Sequence, residues 1–370
     1  MWARAVAKSL ETAAGWLGRR LPMPGLARAL IRALIRALFR TLFRTLGRTS
    51  IWAQWLCGLG LAALTAPAAA GPAATNAGTS AGTSAAAPLT VCMAANNPPL
   101  SHQANGQPRG LDVRIASAAA AALGRDLVVL LFESDYEKES SLTHEVNALL
   151  SAGVCEAVSG FPLLHSNLGP ATRATSRTPD FPGAKRKRDR PFVPLGTLVA
   201  GRAYLAATLG VVLRDGTVPM ARLGDLGERR LGVVSGTLAG SVAMTWRNGK
   251  LRPNLVSLTQ REDALAELAQ PASPRFDALF LPLALFDGWK LQHPGTALVA
   301  AGMRRPIGIN LGFVTLPAAA DVRGALDRVI GQTLGDGNLA RWAADEGVSW
   351  APPVAPEVSS GPSMADLAAD

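Results

Sequence analysis

The chain has 370 residues, with 37 Lys and Arg against 27 Asp and Glu, a formal charge of +10. Ten of the basic residues and a single acid, Glu11, fall within 1–70, which leaves a body of 27 basic and 26 acidic side chains, close to neutral. A neutral body excludes nucleic acid as a partner on charge grounds, because such binding rests on neutralising a phosphate backbone.

The charge excess therefore belongs to the leader. Arginine returns at every fourth position (Arg28, Arg32, Arg36, Arg40, Arg44 and Arg48) with apolar residues between. A period of four drifts by about 40° per repeat on an α-helix, so the arginines spiral and form no fixed basic face. The apolar stretch IWAQWLCGLGLAALTAPAAAG follows and runs through Ala68-Ala69-Ala70. A basic n-region, a short apolar core and a small-residue site together predict a secretory signal over 1–70, cut near Ala70, and a periplasmic protein. An uncleaved membrane anchor is the competing reading, although the apolar core falls short of the roughly 20 residues a span needs. Cys57 lacks the small residues that precede a lipidated cysteine and is read as unmodified. Residues 71–88, GPAATNAGTSAGTSAAAP, carry neither charge nor large apolar side chains and are expected to be a flexible linker.

From residue 89 onward, short β-type runs alternate with helical patterns, which predicts an α/β fold with parallel strands and crossover helices. LTVCMA (89–94) reads as a strand and NNPPLSHQANGQP as a turn-rich link. A helix then opens at Gly110-Leu111-Asp112, with Asp112 as its N-cap and Gly124 as its stop. DLVVLLF (126–132) is wholly apolar, the pattern of a strand buried on both faces. SSLTHEVNALLSAG (140–153) reads as a helix with Leu142, Val146, Leu149 and Leu150 on one face, and EAVSG (156–160) opens a third strand. Periodicity fails from Phe161 to Arg190, where a long loop is expected, with its KRKRDR run (185–190) solvated.

A second alternating unit begins near Leu209 with strand LGVVLR, turn LGDLGERR and strand LGVV (231–234). Helix GTLAGSVAMTW, strand NLVSL, helix REDALAELA, strand FDALFL (276–281), helix ALFDGWKLQH and strand TALVAAG follow. Strand INLGFVTL (309–316) and helices around DVRGALDRVIGQTLGDG and NLARWAADEG close the pattern. Two lobes are expected, 89–200 plus 307–356 and 201–306, with crossings at 192–205 and 307–316 and a disordered tail at 357–370. Beyond Cys57 the chain keeps Cys92 and Cys155. In an exported protein an even pair favours a disulfide, the alternative being two buried thiols. A βαβαβ unit places its first strand beside its third, which would bring the two cysteines within about 5 Å.

These motifs in this order resemble the bacterial extracellular solute-binding proteins of family 3. The likeness rests on NNPPLS, GLDVRIA, RPFVPLG, LGDLGERRLGVVSGT, FDALFL, GINLGFV and LGDGNLARWAA, over about 89–350. VCMAANNPPLS and AGVCE are similar to the subgroup associated with quinoprotein alcohol dehydrogenases, where the same two cysteine positions recur. The resemblance implies a two-lobed periplasmic-binding-protein-like fold with two crossing hinge strands. It implies a monomer that closes around a small-molecule solute for a membrane permease of the ABC type, with no catalytic residue, metal or cofactor. The subgroup implies an alternative, a periplasmic accessory of a quinoprotein (PQQ) alcohol dehydrogenase; a cleft dehydratase using Glu133 or Glu156 ranks third.

Parallel α/β sheets bind ligands beyond the carboxyl ends of their strands. Three places fit: Asn96-Asn97, Ser159-Gly160-Phe161 and Ser235-Gly236-Thr237, with Thr237 the first choice. An ordinary helix cap also accounts for Ser235-Gly236-Thr237. Amino-acid binders of the family carry an arginine shortly after the third strand and an acid four positions beyond the aspartate of the Asp-Ala pair. Those places fall here at Ser166-Asn167 and at Leu281, which argues for a less polar ligand, an organic acid or a protein partner. The four histidines show no ligand spacing. His144 and Glu145 are adjacent and point about 100° apart on a helix, so they make no zinc pair.

Overall fold

The structure, a computed structural model, describes residues 86–134, 141–214, 220–271 and 275–368. The expected signal and most of the linker lie outside the described residues. One mixed sheet organises what is described. Its strands are β1 (Leu89–Ala94), β2 (Leu127–Phe132), β3 (Ala157–Pro162), β4 (Thr197–Arg214), β5 (Leu231–Val234), β6 (Leu255–Leu258), β7 (Ala278–Pro282), β8 (Leu298–Ala300) and β9 (Arg305–Thr315). They lie in the order β6-β5-β7-β4-β9-β3-β1-β2, with β8 added along β4. β1 runs parallel to β2 and β3, and β5 runs parallel to β6 and β7. Between these two parallel ribbons stands the antiparallel pair β4–β9. Its register shifts at Ala200/Ala203, Ala203/Leu205 and Ala206/Thr208, and such bulges bend a strand where the halves of the sheet meet.

Helices cover both faces: α1 (Leu111–Ala122), α2 (Leu142–Ser151), α3 (Leu238–Gly249), α4 (Ala264–Ala269), α5 (Leu283–Gln292), α6 (Ala320–Gly335) and α7 (Asn338–Asp345). On one face of the first half, Leu111, Ile115 and Ala119 of α1 pack with Val322, Leu326 and Ile330 of α6. On the other, Val146 and Leu149 of α2 pack with Cys92, Val158 and Phe161. In the second half Val242 and Trp246 of α3 lie against Val211, Leu231 and Phe280, while Leu268 of α4 and Phe286 of α5 cover Leu258 and Leu279. The first strand does lie beside the third, and Cys92 and Cys155 are joined by a disulfide across a Cα–Cα distance of 5.8 Å.

Several sequence expectations are corrected. The crossing at 192–205 and the strand near Leu209 are one continuous strand of 18 residues, β4. β2 is the sheet's edge, so its apolar run is only half covered and Val128 is 44% exposed. Leu142 lies exposed in the first turn of α2, which instead buries Glu145 and Asn147 beside Val146, Leu149 and Leu150. The turn-rich link forms a small antiparallel sheet of Asn96–Asn97, Ser101–Ala104 and Gln107–Arg109. In the KRKRDR run Lys185, Arg186 and Arg188 are exposed, but Arg190 is buried and donates to the Thr178 carbonyl at 2.6 Å.

The described part of the tail, 357–368, packs against the body. Asn310 of β9, wholly buried, donates to the carbonyls of Val354 and Glu357 at 2.8 and 2.9 Å and accepts from the Val354 N–H at 3.0 Å. Ser359 then joins Leu163 and His165 through backbone bonds, and a last short helix, Met364–Ala368, puts Leu367 into the core that holds Trp246. Removing the clamp leaves buried backbone groups without partners, a cost of about 1–3 kcal/mol. Asn310→Ala is therefore expected to lower stability by about 2 kcal/mol in urea denaturation. An unchanged midpoint would show that the clamp contributes nothing.

Candidate functional site

The strand directions locate the site. β3 ends at Pro162, opposite Leu311 of β9, and β7 ends at Pro282, opposite Leu209 of β4. Ala206 of β4 in turn faces Asn310 of β9. The carboxyl ends of both parallel ribbons therefore open toward the same stretch of the crossing pair, from opposite sides. This is where parallel sheets present free N–H groups to a ligand.

On the first side Asn97 is half-buried and Asn96 exposed. Ser159 is buried, while Gly160 is half-buried at φ +65°, a conformation that favours glycine. Phe161 belongs to the hydrophobic core, only 1% exposed, and serves packing rather than the cleft. Behind Gly160 lies a residue that the sequence assigned to another task. Asp112 does not cap α1, whose N-cap is Gly110; it sits in the first helical turn and is wholly buried. Its Oδ1 accepts from the Tyr204 hydroxyl of β4 at 2.6 Å. Burial raises its pKa from 3.8 to about 6, against the easing effect of the Tyr204 and Ser159 hydroxyls. Ser159, also buried, sits beside the carboxyl. The Tyr204 hydroxyl, buried against this carboxyl, is pushed well above its ordinary range. A buried carboxyl with a raised pKa near the strand ends is a functional-site signal. Sequence reading missed it because one residue separates an N-cap from a buried first-turn position.

On the second side Ser235 and Gly236 are exposed and Thr237 is half-buried. Thr237 caps α3: its Oγ1 accepts from the Gly240 N–H at 3.1 Å and donates to the Val234 carbonyl at 2.7 Å. The ordinary-cap reading is thus realised, and Thr237 also lines a pocket of about 320 Å³. Val234, Gln260, Leu281, Pro282 and Leu285 share that lining. Its two acids are already engaged. Glu262 binds Arg275 at 2.6 Å, and Asp263 caps α4 through the Ala266 N–H at 3.0 Å.

The two sides touch through α5. Asp287 accepts from both the N–H and the hydroxyl of Ser349 at 2.6 Å, and Gly288 packs so near the Asn97–Pro99 loop that a Cβ there would stand 2.9 Å from the Pro98 carbonyl. Desolvation raises the Asp287 pKa, and the Ser349 bonds partly offset it.

The other candidates disperse. Glu156 precedes β3, at the opposite end of the sheet, and binds Arg125 at 3.1 Å. Glu133 lies at a carboxyl end, in backbone contact with Asp180, and lines a second groove of about 1080 Å³ with His102 and Phe181. His144 pairs with the Thr172 hydroxyl at 2.9 Å, and its pKa is lowered by burial and then by Arg173. Arg177 stacks on Phe192, and Asn167 turns back to the Pro162 carbonyl. Among the described residues no three His, Cys, Asp or Glu side chains converge as metal ligands. No described helix is long and apolar enough to cross a membrane.

No protein family and no curated protein matches the sequence. Solved structures do. One is the second substrate-binding domain assigned to an amino acid ABC transporter of Streptococcus pneumoniae, with TM-score 0.50 and 14% identity over 70% of this chain and 100% of that one. Another is substrate-binding domain 2 of Lactococcus lactis GlnP in an open conformation, with TM-score 0.50 and 12% identity over 71% of this chain and 96% of that one. The chain has the periplasmic-binding-protein fold. An ancestral cyclohexadienyl dehydratase matches at TM-score 0.47 and 15% identity over 70% of this chain and 92% of that one. At such identities the likeness is one of fold, and function is argued from the cleft.

Proposed function

We propose that this chain is an exported solute-binding protein of the family 3 type, working as a monomer in the periplasm and delivering a small solute to an ABC-type permease. The observation that carries the reading is the pair of opposed strand-end rows on one crossing, with a pocket of about 320 Å³ on one side and polar groups on the other. In this reading 89–200 with 307–356 and 201–306 are two bodies that close by bending β4 and β9. The site is a binding site rather than a catalytic one, and Asn96, Asn97, Ser159, Gly236 and Thr237 contact the solute.

A thermal-shift screen of the chain produced with its own leader, against amino acids, organic acids, alcohols and aldehydes, tests this. A ligand that binds only the native state raises the melting temperature in proportion to the logarithm of its concentration over Kd. Thr237→Ala is expected to cost about 1 kcal/mol of stability through the lost cap. It should also weaken the ligand's dose-dependent shift. Silence across the panel overturns the transport reading, and capture of a quinoprotein dehydrogenase from periplasmic extract becomes the next experiment.

A further inference from the structure

We propose that the loop 171–194 is a docking surface for an anionic phospholipid bilayer, which it meets through fixed cations and one phenyl ring. The inference goes beyond the solute-binding reading and uses none of the residues assigned to the solute.

Positive charge is concentrated there. Residues 171–194 hold seven basic side chains and two acidic ones, whereas the rest of 71–370 holds 20 and 24. Asp180 lies 3.6 Å from Arg190 and Asp189 lies 3.6 Å from Arg188, so no acid of the loop is left for Lys185 or Arg186. Lys185, Arg186 and Arg188 are exposed. Four residues beyond Arg188, Phe192 is 61% exposed, with the Arg177 guanidinium stacked 4.3 Å from its ring centre. That spacing keeps the Cα atoms of Arg188 and Phe192 within about 14 Å of each other. The loop is also held in place. Thr175–Ser176 pairs with Val193–Pro194, and buried Arg190 donates to the Thr178 carbonyl at 2.6 Å. Asn147 of α2 binds the Gly196 N–H and carbonyl at 2.9 and 2.8 Å.

The chemistry of this surface selects the partner. Each exposed cation near an anionic bilayer strengthens attachment about fivefold. An exposed phenyl ring is unfavourable in water; at a bilayer it enters the boundary of headgroups and acyl chains while the cations stay at the phosphates. A protein partner calls for more apolar area than the loop offers. Phe192 is the one large apolar side chain exposed in 171–194, and a stable protein interface buries about 800 Å² per partner around an apolar centre. Phosphates spread over a bilayer need no such centre and no fixed register with the cations. The acidic excess of the remaining body turns this loop, rather than another surface, toward an anionic bilayer.

Co-sedimentation of the chain, produced with its own leader, with vesicles of phosphatidylcholine alone or with one third phosphatidylglycerol tests the assignment. Binding is expected to the anionic vesicles only. It should be lost at about 0.5 M NaCl, where the screening length falls to a few ångström. Lys185→Gln, Arg186→Gln and Arg188→Gln together should weaken binding roughly a hundredfold, at about fivefold per cation. Phe192→Ala should weaken it about fivefold and leave its salt dependence unchanged. Melting curves confirm that both variants fold. No binding to anionic vesicles, equal binding to neutral ones, or binding indifferent to both sets of substitutions overturns the lipid assignment. So does tighter binding of poly-L-glutamate, charge for charge, which would mark an acidic protein as the partner. None of these outcomes touches the solute-binding reading, whose own test is the ligand screen.

Discussion

Replacing Cys92 and Cys155 together by alanine is expected to lower the stability of the folded chain by about 4 kcal/mol. The bond closes a loop of 63 residues, and in the chain-entropy account a loop of that length restricts the unfolded chain by about this amount. For a body of this size the loss corresponds to a fall of roughly 10 °C in melting temperature. Both cysteines are buried in the core between α2 and the sheet, so the substitution also removes packing. Reduction of the wild type separates the two effects. Wild-type protein melted with dithiothreitol should approach the double variant, and the variant itself should ignore the reductant. A variant that melts with the oxidised wild type would show that the bond adds nothing to the fold.

Asp112→Asn is expected to stabilise the protein near neutral pH, a gain that disappears in acid. The carboxyl titrates at about 6 in the folded state against 3.8 when free, with burial as the first cause. Below about pH 3 it is protonated in both states and costs nothing relative to an amide. As pH rises through 4 to 6 the unfolded chain ionises freely while the folded chain resists, so the wild type loses stability over that window. The full difference, reached above pH 6, is about 3 kcal/mol. Asparagine keeps an oxygen for the Tyr204 hydroxyl, so that hydrogen bond survives. Urea midpoints for both proteins from pH 3 to 8 would show curves that meet in acid and separate through pH 4 to 6. Parallel curves would mean that Asp112 carries no such burden.

Most of the architecture was legible because short apolar runs such as LTVCMA, LGVV and FDALFL, read as buried strands, alternate with the 3.6-residue pattern of helices such as α6. Strand-end positions followed from those elements: Asn97 lies beyond the end of β1, and Thr237 follows β5 and lines the pocket of about 320 Å³. What stayed hidden turns on single residues or long-range pairing. Gly201 and Arg202 break the apolar run in β4, so a continuous strand read as a crossing and a separate strand. The exposure of β2 depends on its place at the sheet's edge, which its own apolar sequence does not report. The tail's Pro, Ser and Gly disguise a segment fixed by the distant Asn310 and by one buried leucine. Asp112 reads as a cap because caps and first-turn carboxylates share a residue type, and its bond to Tyr204, contributed from β4, is visible only in the fold.

The way the two halves divide the chain also sets an order of assembly. The second half draws its core from one run of sequence between Leu209 and Met303, with Leu367 added at the end, whereas the first joins Leu111 and Ile115 to Phe313, Val322 and Ile330. A chain emerging N-terminus first therefore exposes β1, α1 and β3 long before α6 and β9 exist to cover them. The Cys92–Cys155 bond requires nothing synthesised after residue 155, so it holds β1 to the start of β3 throughout that interval. A staple of stability in the finished protein is, while the chain folds, a placeholder for partners still to arrive.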